Sequence, residues 1–138
     1  MSVPFTPEKL PPAPVMPIRL SSPGEPAAAN EYAALLDTGS DFTLVPLRYL
    51  LGINAPETRS AFVRGLFSQQ QLVTLYLVDI HTEIGVLPGY EVIGIGGTDD
   101  GFDDGEIIIG RNVLNRLYLF LNGPAAETHL LEHPPRKF

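Results

Sequence analysis

Asp37-Thr38-Gly39 is the stretch of this sequence whose residue types and spacing can do chemistry. The small and apolar run Ala34-Leu35-Leu36 leads into it and reads as a buried strand that stops at Asp37. Gly39 permits a tight turn immediately afterwards. A carboxylate at the end of a buried strand is costly unless hydrogen bonds or chemistry compensate it. In structural terms Asp37 caps a strand-to-loop turn. In chemical terms it is a carboxyl held on a rigid element, suited to giving or taking a proton. The chain holds one Asp-Thr-Gly: Asp79 has no Thr-Gly after it, and Asp104-Gly105 has no apolar strand leading in.

Other candidate groups are weaker. His129-Leu130-Leu131-Glu132-His133 has the order of an inverted zinc-ligand motif. Pro134-Pro135 follows at once and Arg136-Lys137-Phe138 supplies no third ligand, so it reads as a solvated tail. The acidic run from Asp99 to Glu106 lacks calcium-loop spacing and reads as an acidic hairpin loop. Gly94-Ile95-Gly96-Gly97 lacks the helix and Lys of a phosphate loop and reads as a turn. His81 stands alone and is assigned to a surface turn. No metal or cofactor is implied by these residues.

The elements that must position Asp37 are short strands. Val15 to Leu20 is one, with Pro17 pushing it toward a sheet edge. Ser21 to Asn30 is a loop of turn formers. Glu31 to Leu36 delivers Asp37, and Thr43-Leu44-Val45 follows as a third strand ended by Pro46. Leu47 to Leu51 fits one helical turn, and Ile53 to Arg59 reads as loop. Ala61-Phe62-Val63 and Leu72 to Ile80 flank a hairpin tip, Arg64 to Gln70. Ile84 to Leu87 and Tyr90 to Ile95 continue the strand pattern across Pro88-Gly89. Glu106 to Ile109 is a buried-type strand, and Val113, Leu114 and Leu117 share a helical face. Tyr118 to Leu121 reads as the last strand. The expectation is an all-β domain, a closed barrel or sandwich of seven to nine strands with one short helix near its C-terminal end.

Composition sets the bounds. A chain of 138 residues fits one domain, and 44% hydrophobic residues give it a core. Pro 14 and Gly 13 suit short strands joined by many turns. The absence of Cys removes disulfides, thiolate chemistry and Cys-ligated zinc. A net charge of −7 argues against nucleic acid and anionic membrane as partners. No apolar run is long enough to cross a bilayer, and residues 1–10 lack the basic-then-apolar order of a secretory signal, so a cytoplasmic location is expected. Residues 1–12 form a proline-rich arm, 13–124 the domain, and 125–138 a polar tail.

Two segments combine into a pattern more specific than either. Leu35-Leu36-Asp37-Thr38-Gly39-Ser40-Asp41, followed by Thr43-Leu44-Val45, is the first. About seventy residues on comes Ile107-Ile108-Ile109-Gly110-Arg111-Asn112-Val113-Leu114. Together, over roughly residues 13–124, they resemble the retroviral-type (retropepsin-like) aspartic proteases. That resemblance implies an acid-protease barrel and an aspartic endopeptidase that hydrolyses peptide bonds. Its chemistry needs two carboxyls sharing one proton. With a single Asp-Thr-Gly, the second carboxyl must come from another copy, so the resemblance implies a two-fold homodimer acting on a peptide or protein substrate, without a cofactor.

Residue roles are carried over in the same sense. Asp37 is the implied catalytic group, and Thr38, Gly39 and Ser40 support its loop. Thr38 would bond across the two-fold, and Gly39 would let substrate backbone approach. Asp41 is implied to contact the substrate backbone and to form a buried structural pair with Arg111. Val45 and the hairpin tip Gly65, Leu66 and Phe67 are implied to meet the substrate, residues 63–68 matching a flap that closes over it. That tip lacks the Gly-rich sequence of viral flaps. Tyr118 to Asn122 corresponds to the dimer-forming terminus of viral enzymes, but this chain continues sixteen residues further. The competing reading is a catalytically silent dimer of the same fold that binds peptides or assembles.

Overall fold

Alternation builds the first long strand. In Val15–Ser21, the side chains of Met16, Ile18 and Leu20 are at most 1% exposed, whereas Pro17 and Arg19 point outward. The structure, a computed structural model, describes residues 1–64, 69–96 and 105–136. In chain order the elements are β1 (Ser2–Pro4), β2 (Val15–Ser21), β3 (Tyr32–Leu36), β4 (Leu44–Pro46) and α1 (Leu47–Gly52). Next come β5 (Glu57–Arg64), β6 (Gln70–Thr82), β7 (Gly85–Ile95), β8 (Ile108–Ile109), α2 (Arg111–Leu114), β9 (Tyr118–Asn122) and β10 (Glu127–Leu131).

Seven strands form one sheet in the order β2-β3-β8-β4-β7-β6-β5. A further pairing of β2 with β6, Arg19↔His81 to Ser21↔Asp79, closes six of them into a barrel and leaves β5 outside the ring. The all-β closed barrel expected from the strand pattern is therefore present. Met16, Ile18, Leu20, Val45, Val78, Ile80, Val92 and Ile109 fill its interior, and Leu50 of α1 joins them with no exposed surface. Burying each such side chain contributes roughly 1.5–3 kcal/mol relative to exposure.

Several details differ from the sequence reading. Pro17 is not on an outer strand, because β2 lies within the ring. It pairs with Ala33 between the hydrogen-bonded positions of β2 and β3, so its nitrogen faces the side that β6 reaches only from Arg19 onward. The missing N–H thus falls at a local gap in the barrel wall. His81 is not in a surface turn. It lies in β6, and its Nε2 is 2.8 Å from the Ser21 hydroxyl across the seam that closes the barrel. Beside it, the nearly buried Asp79 accepts the N–H groups of Gly24 and Gly89 at 2.9 and 2.8 Å, tying a loop and a hairpin to the seam. β5 begins at Glu57, within the stretch read as loop, and there are two short helices where one was expected.

The largest revision concerns the ends of the chain. Residues 125–138 are not simply a polar tail: β10 folds back on β9, Glu127↔Asn122 to Leu131↔Tyr118. The proline-rich arm is not free either, since β1 pairs with β10 and Lys9 forms a 3.1 Å ion pair with Glu106. A second sheet results, ordered β1-β10-β9, with Thr128 and Leu130 buried beneath it.

Candidate active site

β3 and β8 run parallel at the centre of the barrel wall, with Leu35↔Ile108 and Leu36↔Ile109 in register. The ladder continues one bond past β3, because the Asp37 N–H donates to the Ile109 carbonyl at 3.0 Å. Asp37 is therefore fixed at its backbone by the last rung of the β3–β8 pairing. The chain then turns sharply. The Gly39 N–H donates to Asp37 Oδ1 at 2.9 Å, and the Ser40 N–H to the Asp37 carbonyl at 3.2 Å. A Cβ on residue 39 would lie 3.2 Å from Asp37 Oδ1, tight enough to disturb that turn. The half-buried carboxyl has one oxygen held and the other without a protein partner among the described residues.

The loop is sewn to the start of α2. Arg111 N–H donates to the Ser40 carbonyl at 2.8 Å and Asn112 N–H to the Asp41 carbonyl at 3.2 Å. The Ser40 hydroxyl donates to the Phe42 carbonyl at 2.6 Å. Gly110 makes this approach possible: a Cβ there would sit 2.2 Å from the Phe42 oxygen and 2.9 Å from that of Ser40, closer than atoms can pack. The Arg111 guanidinium donates to the Thr38 carbonyl at 2.7 Å and pairs with Asp41. One side chain thereby clamps both ends of the Thr38–Asp41 turn.

A buried network supports the loop from below. The Thr43 hydroxyl, fully buried, accepts the Gly110 N–H at 3.1 Å and donates to Asn112 Oδ1 at 2.9 Å. The Asn112 side-chain amide then donates to the Glu91 carbonyl on β7 at 2.9 Å. Three strands and α2 are joined through two polar side chains with their hydrogen bonds made. Thr43 was legible only as a strand residue, and Asn112 only as a letter of the second motif. A small hydroxyl residue heading an apolar strand was the one available signal.

The residues expected at the site divide as follows. Asp37, Thr38, Gly39, Ser40, Asp41 and Arg111 are brought together in one loop, as described. The Asp41–Arg111 pair is formed but not buried: their side chains are 75% and 44% exposed. The loop that carries Asp41 lies on the outside of the barrel, so the guanidinium reaches it over the surface. Val45 does not face a cleft. It has no exposed surface and packs in the barrel core, because alternation along β4 turns it inward. Gly65, Leu66 and Phe67 lie outside the described residues, as does most of the acidic loop. The arms of their hairpin are β5 and β6, paired up to Arg64↔Gln70. Near its base Glu91 accepts hydrogen bonds from Thr58 and Arg59 at 2.7 and 3.1 Å. The Arg59 contact, followed by Thr58, holds the Glu91 carboxyl below its ordinary range. No cluster of three or more metal-ligating side chains occurs among the described residues.

No protein-family model matches the chain, and no curated protein does.

Proposed function

We propose that the protein is an aspartic endopeptidase of retropepsin type, in which Asp37 from each of two copies forms the catalytic pair. The observation that carries this reading is the state of Asp37. Its backbone is locked to β8, one carboxyl oxygen is oriented by the Gly39 N–H, and the other has no protein partner among the described residues. The clamp from Arg111 and the close approach at Gly110 fix the loop without occupying that oxygen.

In the paired site the two carboxyls share one proton, since like charges in contact do not both ionise. The ionised carboxyl takes a proton from a water placed between them as the water oxygen bonds to the peptide carbon. The protonated carboxyl gives its proton to the carbonyl oxygen, forming a diol. The carboxyl that took the water proton then passes it to the amide nitrogen while a diol hydroxyl gives its proton to the other carboxyl, so the C–N bond breaks, amine and acid leave, and the shared-proton pair is regenerated. Thr38, Gly39 and Ser40 keep the two loops in register, and the β5–β6 hairpin covers the substrate.

Asp37→Asn keeps the turn but removes the titratable oxygen. Cleavage of a peptide library by this variant is expected to fall at least about a hundredfold. The mass of the active species in solution is expected to be twice that of the chain. Undiminished cleavage by Asp37→Asn would end the proposal. A wild-type dimer that cleaves nothing would leave the fold with a binding or assembly role instead.

A further inference from the structure

The root of the β5–β6 hairpin contains a bulge. Glu57 pairs with Tyr76 and Arg59 with Leu75, so Thr58 has no partner across the ladder. Adjacent residues of a regular strand point to opposite faces, and a bulge breaks that rule by re-aiming a side chain. Here Thr58 and Arg59 both reach one carboxylate, that of Glu91 on β7. The Thr58 hydroxyl donates to Oε2 at 2.7 Å, and the Arg59 guanidinium forks onto Oε2 at 3.1 Å and Oε1 at 3.3 Å. β6 runs between β5 and β7, so the contact crosses a whole strand. A two-point guanidinium fork fixes orientation as well as distance. Leu75, opposite Arg59 on β6, faces away from the interior that Tyr76 and Val78 fill, yet it has no exposed surface.

The backbone of Glu91 belongs to the candidate site. β4 and β7 begin to pair at Leu44↔Ile93, and the Ile93 N–H donates to the Thr43 carbonyl. Glu91 is two residues earlier, so its carbonyl faces the same side as the polar groups of Ile93. The Asn112 side-chain amide meets it there at 2.9 Å. From Asn112 the contacts run through the Thr43 hydroxyl, at 2.9 Å, to the Gly110 N–H, at 3.1 Å. The next N–H along, that of Arg111, holds the Ser40 carbonyl at 2.8 Å. One residue thus grips the hairpin root with its side chain and the support of the Asp37 loop with its main chain.

We propose that Glu91 is a positioning residue, which sets the root of the β5–β6 hairpin in register with the Asp37 loop so that a substrate between them is held against the carboxyls. The proposal rests on the endopeptidase reading for the substrate, and on the hydrogen bonds above for the coupling. Glu91 meets no reacting atom. It acts through Thr58 and Arg59 on one side and through Asn112 on the other. The fork lies on the surface, with the Arg59 and Glu91 side chains 58% and 31% exposed, so its effect is modest. It persists into mildly acidic solution, because the Arg59 contact, followed by that of Thr58, holds the Glu91 carboxyl below its ordinary range. Contiguity alone does not establish coupling; an energetic response at the far end does. A tie with only a local role would leave both substrate affinity and the loop unmoved.

Glu91→Ala tests this, since it removes the carboxylate and keeps the carbonyl to which Asn112 donates. On a peptide that the wild type cleaves, KM is expected to rise about two- to fivefold with kcat unchanged. Arg59→Ala is expected to do the same, and the double variant to do no more than either alone. Glu91→Gln, which keeps the size and removes the charge, is expected to fall between wild type and Glu91→Ala. Native-state amide exchange reads the coupling without any substrate. The Gly110 and Arg111 N–H groups are expected to exchange about two- to fivefold faster in Glu91→Ala, and those of Phe62 and Val63 on β5 to speed up by a similar factor in Asn112→Ala. Faster exchange confined to β5 in Glu91→Ala, with Gly110 and KM unmoved, would overturn the proposal and leave an ordinary surface ion pair. A fall in kcat at constant KM would also overturn it, because the effect would then lie on the chemistry and not on holding the substrate. If the wild type cleaves no peptide, the endopeptidase reading falls, and amide exchange alone decides the coupling: reciprocal acceleration sustains it and its absence overturns it.

Discussion

Two residues hold the candidate loop more firmly than Asp37 itself. Gly110 has the Phe42 carbonyl where a methyl group would be, so Gly110→Ala must push the loop away from α2. A loss of about 2–3 kcal/mol or more is expected from overpacking at a rigid site, read as a lower urea midpoint with an unchanged slope. Thr43→Val is nearly the same size but orphans the Gly110 N–H and Asn112 Oδ1 in a buried place. It is expected to cost roughly 1–3 kcal/mol, and Thr43→Ser to recover most of that in the same titration. The two residues were unequally legible. Gly110 sits inside a recognisable motif, and a glycine after an apolar strand marks a close approach. Thr43 acts through groups sixty-seven and sixty-nine residues away, which local spacing does not reveal.

At the scale of elements, strands that obey strict alternation were readable, and strands that exist only because a neighbour offers an edge were not. β10 shows the difference. Its inward face is Thr128 and Leu130, so a threonine fills a position that apolar patterning assigns to Val or Ile. β1 is three residues whose order depends on β10. Val45 was expected at the substrate only because the resemblance implied it, whereas β4 turns it into the barrel core. The base of the β5–β6 hairpin carries a pH-dependent tie. Arg59 and Thr58 hold the Glu91 carboxyl below its ordinary range. A depressed carboxylate contributes stability that is complete above its unfolded-state pKa and lost as pH falls through its folded-state value. The tie is on the surface and therefore small. Amide exchange along β5 is accordingly expected to speed up on acidification, relative to β4, and to lose this pH dependence in Glu91→Gln.

For the whole molecule, one barrel supplies one Asp37, and the two ends of the chain are spent on pairing with each other. A closed six-stranded ring with α1 packed against its interior is complete as a folded unit, so association is required by the proposed chemistry and not by the core. The barrel was legible because its strands alternate. How the ends are spent was not, because it is decided between segments more than a hundred residues apart. The shared site makes a quantitative demand on mixtures. If wild type and Asp37→Asn are unfolded together, refolded and assayed on one peptide, activity should follow the square of the wild-type fraction. An equal mixture should retain about one quarter of full activity, because random pairing gives that share of dimers with both carboxyls. Activity that falls in direct proportion to the wild-type fraction would contradict a catalytic pair built from two copies.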